Sequence, residues 1–170
     1  MAFIATSTNF YSFAEYSDVT DQDSRLFVAN EGLTQTVVED LLVKSSNRIL
    51  NNIRATAWWQ QYFVTQDKGT TTIKSAADIP APSGLKIISR KADFTDLCVY
   101  HCMMTYILPK VANFGNEDNE ERQKISFYEN RYTQLFEELI KAGDWYDFSG
   151  DGTINSDEKE PGKIRLRRIR

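Results

Sequence analysis

The 170-residue chain is poor in the side chains that most chemistry uses, with one histidine, His101, and two cysteines, Cys98 and Cys102. A lone histidine removes the familiar Ser-His-Asp and Cys-His arrangements and most zinc shells, which need several nitrogen or sulfur ligands. The cysteines lie four apart in a stretch of helical character, so they share a helix face and poorly suit a disulfide across the fold. A reducing compartment is the default for such a chain. Long apolar runs are also missing: Tyr106-Ile107-Leu108 is typical, and no basic segment leads an apolar stretch at the N-terminus. Neither a membrane span nor a signal peptide is expected. Without a glycine-rich phosphate loop or a local nucleophile motif, the chain is expected not to be an enzyme.

Cys98, His101 and Cys102 fall within one helical turn and can be drawn as three soft ligands. No further Cys or His exists to complete a zinc shell, and Asp93 or Asp96 would be makeshift, so burial in a core is the expected role.

What is present describes an ordinary folded domain. Hydrophobic residues make up 41% and charged residues 26%, which argues against disorder or a fibrous repeat, and the length suits one core. The 3 Trp, 8 Tyr and 10 Phe serve either a core or an oligomer interface. The net charge of -4 conceals an asymmetry, because the last eight residues carry Lys163, Arg165, Arg167, Arg168 and Arg170. The body without them is strongly acidic, which suits general nucleic-acid binding poorly.

Periodicity predicts a mainly α protein: a helical bundle with small β elements, a long central loop and an extended C-terminal loop-strand tail. Ala2-Phe3-Ile4-Ala5 reads as extended, and Phe10 to Tyr16 as a brief helix ending near Ser17 to Ser24. Val37, Val38, Leu41, Leu42, Ile49, Leu50 and Ile53 recur at helical spacing after Thr34, a candidate N-cap, and predict a helix from Thr34 to Ala57. The aromatic cluster Trp58, Trp59, Tyr62 and Phe63 follows at or beyond its end. Between Gln66 and Ser89, Pro80, Pro82 and Gly84 forbid continuous helix, leaving a long loop with short strands at Thr71 to Lys74 and Lys86 to Ser89. Such a loop either projects to touch a neighbour or simply connects elements. Asp93 and Asp96 read as a capping pair opening a central buried helix through Leu108, which Pro109 ends or kinks. Asn116 then caps a last helix with Glu117, Asp118, Glu120 and Glu121 in its first turns and Lys141 near its end. Ile125, Tyr128, Tyr132, Leu135, Phe136, Leu139 and Ile140 form its core stripe, and Gly143 is its stop. Residues 1–143 therefore form a helical body, and 144–170 a loop followed by a basic strand.

Asp147 to Glu158 have the residue order of an EF-hand-type calcium loop. Calcium takes six to eight oxygens, and a twelve-residue loop wraps it when oxygens fall at its odd positions and a bidentate carboxylate closes it. Asp147, Ser149 and Asp151 stand first, third and fifth, Thr153 offers a backbone carbonyl, Asn155 stands ninth and Glu158 twelfth. Gly152 occupies the sixth position, where positive φ is needed, and Ile154 the eighth, as an apolar anchor. The competing reading is a surface turn without metal, since Asp, Ser, Asn and Gly also dominate turns. Ser149 in place of a carboxylate lowers the ligand charge. Pro161 and Gly162 stand where a paired EF-hand would continue its exiting helix, so the groove-opening switch of calcium sensors is not expected. A bound Ca2+ would instead brace the turn into the tail.

In that tail Lys163, Ile164, Arg165, Leu166, Arg167, Arg168, Ile169 and Arg170 alternate charge and apolarity early on, which is strand periodicity. Three roles are open: an added strand on a neighbouring subunit, the lining of a DNA channel, or a solvated edge whose charges discourage aggregation. Subunit contact is favoured.

An acidic helical body of this size, a helix running into Arg54-Ala55-Thr56-Ala57-Trp58-Trp59, a buried central helix, a long last helix and an extended tail resemble the head-completion or adaptor proteins of tailed bacteriophages. The similarity spans most of residues 10–170 and rests on the arrangement of elements. It implies a structural subunit of the virion neck, assembled in the host cytoplasm as a homo-oligomeric head-tail connector ring. Such a ring docks beneath the portal protein, meets a tail-side connector protein, and surrounds DNA that passes without sequence-specific binding. The calcium-type loop is not a general hallmark of that family, and the acidic body departs from direct DNA gripping. The alternative is a monomeric calcium-dependent protein-binding module; an enzyme with an unrecognised site is a third reading.

Overall fold

The computed structural model describes residues 4–5, 9–30, 32–66, 78–112 and 120–159. In chain order the elements are β1 (Ile4–Ala5), β2 (Phe10–Ser12), α1 (Tyr16–Gln22), α2 (Ser24–Ala29), α3 (Gln35–Ala55) and α4 (Ala57–Gln66). There follow α5 (Lys91–Cys102), α6 (Leu108–Val111), α7 (Glu120–Ala142) and α8 (Ser156–Lys159). The fold is mainly α with a small two-stranded antiparallel sheet, β1–β2. The expected strand at Thr71 to Lys74, the Asn116 cap and the tail 163–170 lie outside the described residues.

The core is built around α5, apolar on nearly every side and packed against both α3 and α7. Phe94, Leu97, Cys98, Val99 and Cys102 are buried, each large side chain stabilising the fold by about 1.5–3 kcal/mol. From α3, Val38, Leu41, Leu42, Ile49, Leu50 and Ile53 face this helix at helical spacing, while Asp40, Lys44 and Asn47 stay in solvent. Helix α7 is more peripheral: of its expected stripe, Tyr128 and Leu139 are buried, and Ile125, Tyr132, Leu135, Phe136 and Ile140 are half-buried against the core.

Five local expectations are corrected by tertiary constraints. Phe10 to Tyr16 is not helical; Phe10–Ser12 is a strand, and helix begins only at Tyr16 behind a capping box between Glu15 and Asp18. The backbone of Phe13, where the chain bends after the strand, is held by side chains of the helices: its N–H donates to Ser46 Oγ (3.0 Å) and its carbonyl accepts from Thr95 Oγ1 (2.8 Å). These buried bonds answer the backbone's polar groups, which a local helix would otherwise have done.

Second, the predicted 34–57 helix breaks one residue before its expected end. Thr56 is extended, its Oγ1 donates to the Ile53 carbonyl (2.7 Å) and accepts from Trp59 N–H (3.3 Å), so one side chain closes α3 and opens α4. Third, the central helix starts at Lys91, not at the Asp93–Asp96 pair; Arg90 precedes it with φ 54°, and Asp93 is the partner of Arg90 Nε at 2.7 Å.

Fourth, Pro109 does not end the helix. Residues Met103–Ile107 widen into a π turn, with Leu108 N–H donating to the Met103 carbonyl five residues back, and α6 carries on past the proline to Val111. Proline removes one backbone donor and its ring clashes with the carbonyl four residues earlier; the wider turn gives that carbonyl room. Fifth, no strand forms at Lys86 to Ser89. Gly84–Lys86 is a 3-10 turn, and only Ile87 makes a bridge, with Tyr146. A Cβ on Gly84 would overlap the Phe10 ring, which fixes glycine there.

A polar seam runs through this core. Ser46 Oγ lies 3.3 Å from both Ser12 Oγ and Cys98 Sγ, and His101 Nδ1 lies 3.2 Å from Ser45 Oγ. Burial, with Arg48 adding to it, pushes His101 down to about 4. The unfolded chain therefore takes up this proton first, so the stability contributed by neutral His101 is complete above pH 6.5 and is lost as pH falls toward 4. In urea unfolding at pH 7 and pH 4.5, the wild-type chain is expected to lose more stability than His101→Gln; equal losses would remove His101 as the cause.

Candidate metal centre

The loop at the C-terminal end of α7 is fixed to the body before its first acidic residue. Gly143 ends the helix as expected, at φ 59°, with its N–H donating to the Leu139 carbonyl (3.0 Å). The same carbonyl accepts from Trp145 Nε1 at 2.7 Å, which turns this fully buried indole back under the helix. Trp145 packs on Trp58 (ring centroids 4.8 Å apart) and on Phe94 (4.9 Å), and Phe148 stacks on Tyr62 at 3.7 Å and 19°. Three backbone bonds join this strand-like stretch to residues 86–89: Ile88 N–H and, more weakly, Ser89 N–H to the Trp145 carbonyl, and Asp147 N–H to the Lys86 carbonyl at 2.9 Å. Lys86 Nζ adds a bond to the Phe148 carbonyl at 3.0 Å.

Beyond Phe148 the chain folds around two buried carboxylates. Asp147 is 4% exposed and Glu158 3%. Asp147 Oδ1 accepts from Gly150 N–H and from Ser149 Oγ, and Oδ2 from Gly152 N–H at 2.8 Å. Both glycines have positive φ, 82° and 83°, which lets the backbone turn its N–H groups inward; the sequence pattern anticipated this at Gly152 and missed it at Gly150. Glu158 Oε1 accepts from Ser149 N–H (2.7 Å) and Oε2 from Asn155 N–H (2.8 Å). Ser149 thus links the first and twelfth positions of the loop.

Burial alone would raise the Asp147 pKa. The N–H groups of Gly152 and Gly150 and the Ser149 hydroxyl outweigh burial and hold it below the usual carboxylate value, despite the nearby Asp151 charge. The two charges reach Tyr62: burial first, then Glu158 and Asp147, raise its pKa. Among the described residues no lysine or arginine comes within ion-pair distance of either carboxylate. Among the described residues their charge is met by backbone N–H groups and, at Asp147, by the Ser149 hydroxyl.

The outer half of the loop is arranged differently. Asp151 is exposed, and its Oδ1 accepts from Thr153 N–H (2.8 Å) and Thr153 Oγ1 (2.7 Å), which lower its pKa; Oδ2 accepts from Asn155 Nδ2 (3.2 Å). Ile154 is half-buried. One turn of exiting helix, α8, forms over Ser156–Lys159, and Pro161 and Gly162, where its continuation is not expected, lie outside the described residues. Asn155 precedes α8, its backbone carbonyl accepting from Glu158 N–H, and the Glu158 carboxylate accepts in turn from Asn155 N–H, one half of a capping box.

The six expected ligands therefore divide into two groups. Asp147, Ser149 and Glu158 are brought together, whereas the Asp151 carboxylate is taken up at the rim by Thr153 and the Asn155 side chain, Asn155 reaching Glu158 through its backbone N–H. Among the described residues no three Asp, Glu, His or Cys groups converge on one point. The donor set, all oxygen and net negative, fits a hard cation, and closing a shell requires Asp151 to release Thr153 and turn inward. The tail residues Lys163 to Arg170 lie outside the described residues.

The cysteine-histidine cluster is elsewhere and enclosed. Burial pushes Cys98 and Cys102 up to about 12, so both thiols stay protonated, and thiols in that state are poor nucleophiles and ligands. Comparison with protein-family models, with curated proteins and with solved structures gives no match.

The two ends of the loop meet at Gly143. A Cβ there would collide with the Lys159 carbonyl, which also accepts from Trp58 Nε1 (3.3 Å), and would crowd the indole nitrogen. Gly143→Ala is expected to destabilise the protein by about 1–3 kcal/mol, combining positive φ with that overlap. Urea unfolding checks this; an unchanged midpoint would show that α8 is not held against the end of α7.

Proposed function

We propose that the chain is a structural subunit of a tailed-bacteriophage head-tail connector, assembling as a ring beneath the portal and joining capsid to tail around the DNA channel. The observation that carries the reading is the elbow: the 147–158 loop is joined to residues 86–89 and to the α4 aromatics, and its last described turn ends on Trp58, directly before the cationic residues 163–170. A fixed exit suits a tail that must enter a neighbouring subunit at a set position. The helical body around α5 agrees with the resemblance, and exposed Phe127, Leu85 and Ile88 offer apolar surface for subunit contacts.

The loop braces that exit by binding Ca2+. Asp147 and Glu158 are buried with no cationic partner among the described residues, which leaves charge for a cation to neutralise. Breaking the Asp151–Thr153 bonds opposes binding, so affinity is expected to be modest, with a Kd of about 10⁻⁵–10⁻³ M. Titration calorimetry should show one site, abolished by Asp147→Ala with Glu158→Gln. Heat identical in wild type and variant would leave a capped turn without metal.

The connector reading is tested with the full chain mixed with a portal protein from the same genome, should one be encoded there, followed by mass photometry. Rings bound to portal are expected, with docking weakened roughly tenfold or more by Arg165→Glu plus Arg167→Glu. A chain that stays monomeric with portal present removes the connector. If that monomer still binds Ca2+, the calcium-dependent module takes its place.

A further inference from the structure

Two helices packed on each other give the subunit two unlike sides. Helices α3 and α5 meet where Cys98 Sγ lies 3.3 Å from Ser46 Oγ. Successive residues of a helix are turned by about 100°, so a residue two positions from this contact points roughly the opposite way. On α5 that residue is Asp96; on α3 they are Lys44 and Arg48. All three are exposed, and Asp96 leaves the helix pair on the side opposite to the two cations.

Each side has its own charge. Around Asp96 stand Asp93 and Asp18, whose charges reach it, and Glu138 of α7, with which Asp96 lines a groove of about 150 Å³. Asp144 joins them through Arg90, which lies 3.7 Å from Asp144 and 2.7 Å from Asp93. These five carboxylates face two cations, Arg90 and Arg131, and the Arg131 guanidinium lies over the Phe127 ring at 5.4 Å. The other side is free of acid. No Asp or Glu occurs from Leu41 to Gln66, and the solvent face of α3 there carries Lys44, Asn47, Arg48 and Asn51 at helical spacing, bounded by Asp40 one turn earlier. Lys110 of α6 adds its charge near Cys102, one turn from Cys98 on the α3 side of α5. Among the described residues, Lys44, Arg48, Lys110, Asp96 and Glu138 enter no ion pair.

We infer that neighbouring copies of the chain meet through these two sides, Lys44 and Arg48 of one subunit facing the Asp96–Glu138 groove of the next. The inference rests on the ring proposed above and names its subunit contact. A contact between two different faces is heterologous: each subunit keeps one face to offer, and the series closes into a ring when the rotation between copies allows. Like sides repel, which disfavours the two-fold dimer. Exposed ion pairs add little affinity, yet complementary charge decides which faces meet. Apolar area lies at hand on both sides, in Phe127 under Arg131 and in Val37, seven residues before Lys44 on the same face of α3; both are exposed.

The test is a charge swap in the full chain, read by sedimentation velocity. Wild type is expected to self-associate at about 100 µM protein in roughly 50 mM salt, and to do so severalfold more weakly in about 300 mM salt. Lys44→Glu with Arg48→Glu, and separately Asp96→Lys with Glu138→Lys, should each weaken association about tenfold or more with a nearly unchanged urea midpoint. An equimolar mixture of the two variants should associate again, because each presents the charge that the other lacks. A monomeric wild type, variants that associate as wild type does, or a mixture that fails to recover overturns the contact. So does a reversal of Lys44 and Arg48 that costs binding of a DNA duplex and leaves self-association intact, which makes nucleic acid the partner of that side. Portal is absent from this experiment. Association through these sides by a chain that never docks on portal removes the connector and keeps the contact, and portal-bound rings untouched by either reversal do the opposite.

Discussion

Where α4 meets the start of the loop, Trp58 and Trp59 pack against Trp145, Tyr146 and Phe148, and Tyr62 stacks on Phe148. Each such pair contributes about 0.5–1.5 kcal/mol beyond its buried area, so the cluster fastens the C-terminal segment to the helical body. Much else follows from it. The loop is short and rich in glycine and polar residues and has no core of its own; its two buried carboxylates keep their positions because Trp145 and Phe148 on one side and Trp58 on the other hold both its ends. The corner at Thr56 matters for the same reason. By ending α3 and starting α4 within one residue, it swings Trp58 and Trp59 off the axis of the first helix and toward Trp145.

Much of this was legible in the sequence, unevenly and for physical reasons. The mainly α class, the stripe of α3, the buried character of α5 and the stop at Gly143 follow from local rules of periodicity and backbone freedom, and those rules held. The failures share a different cause. The strand at Phe10–Ser12, the corner at Thr56 and the start of α5 behind Arg90 are set by partners remote in sequence or by a single hydrogen-bonding side chain. Ser46 and Thr95 are buried polar residues on apolar helix faces, and they are the partners of the Phe13 backbone. The π turn before Pro109 was half legible: proline announces a disturbance, but not whether the helix stops or widens.

For the site, the pattern of Asp147 to Glu158 located both the loop and the buried carboxylates. It did not reveal that the ligand set is split, because the bonds of Asp151 to Thr153 and of Glu158 to Asn155 use the same residue types that a calcium shell would. Asp, Asn and Thr serve turns and metals with the same oxygens, so sequence order cannot separate the two uses. Nor did the pattern show that Trp145 and Phe148, flanking the first acid, anchor the loop in the aromatic cluster.

All three tryptophans of the chain sit in that one cluster, Trp58 within 6.2 Å of Trp59 and 4.8 Å of Trp145. The indole spectrum of this protein is therefore a local instrument. Near-ultraviolet dichroism and tryptophan emission follow the joint between body and elbow, while the amide signal follows α3, α5 and α7. If the two signals melt together, the elbow belongs to the same cooperative unit as the bundle; if the indole signal moves first, the elbow opens as a separate unit on an intact body.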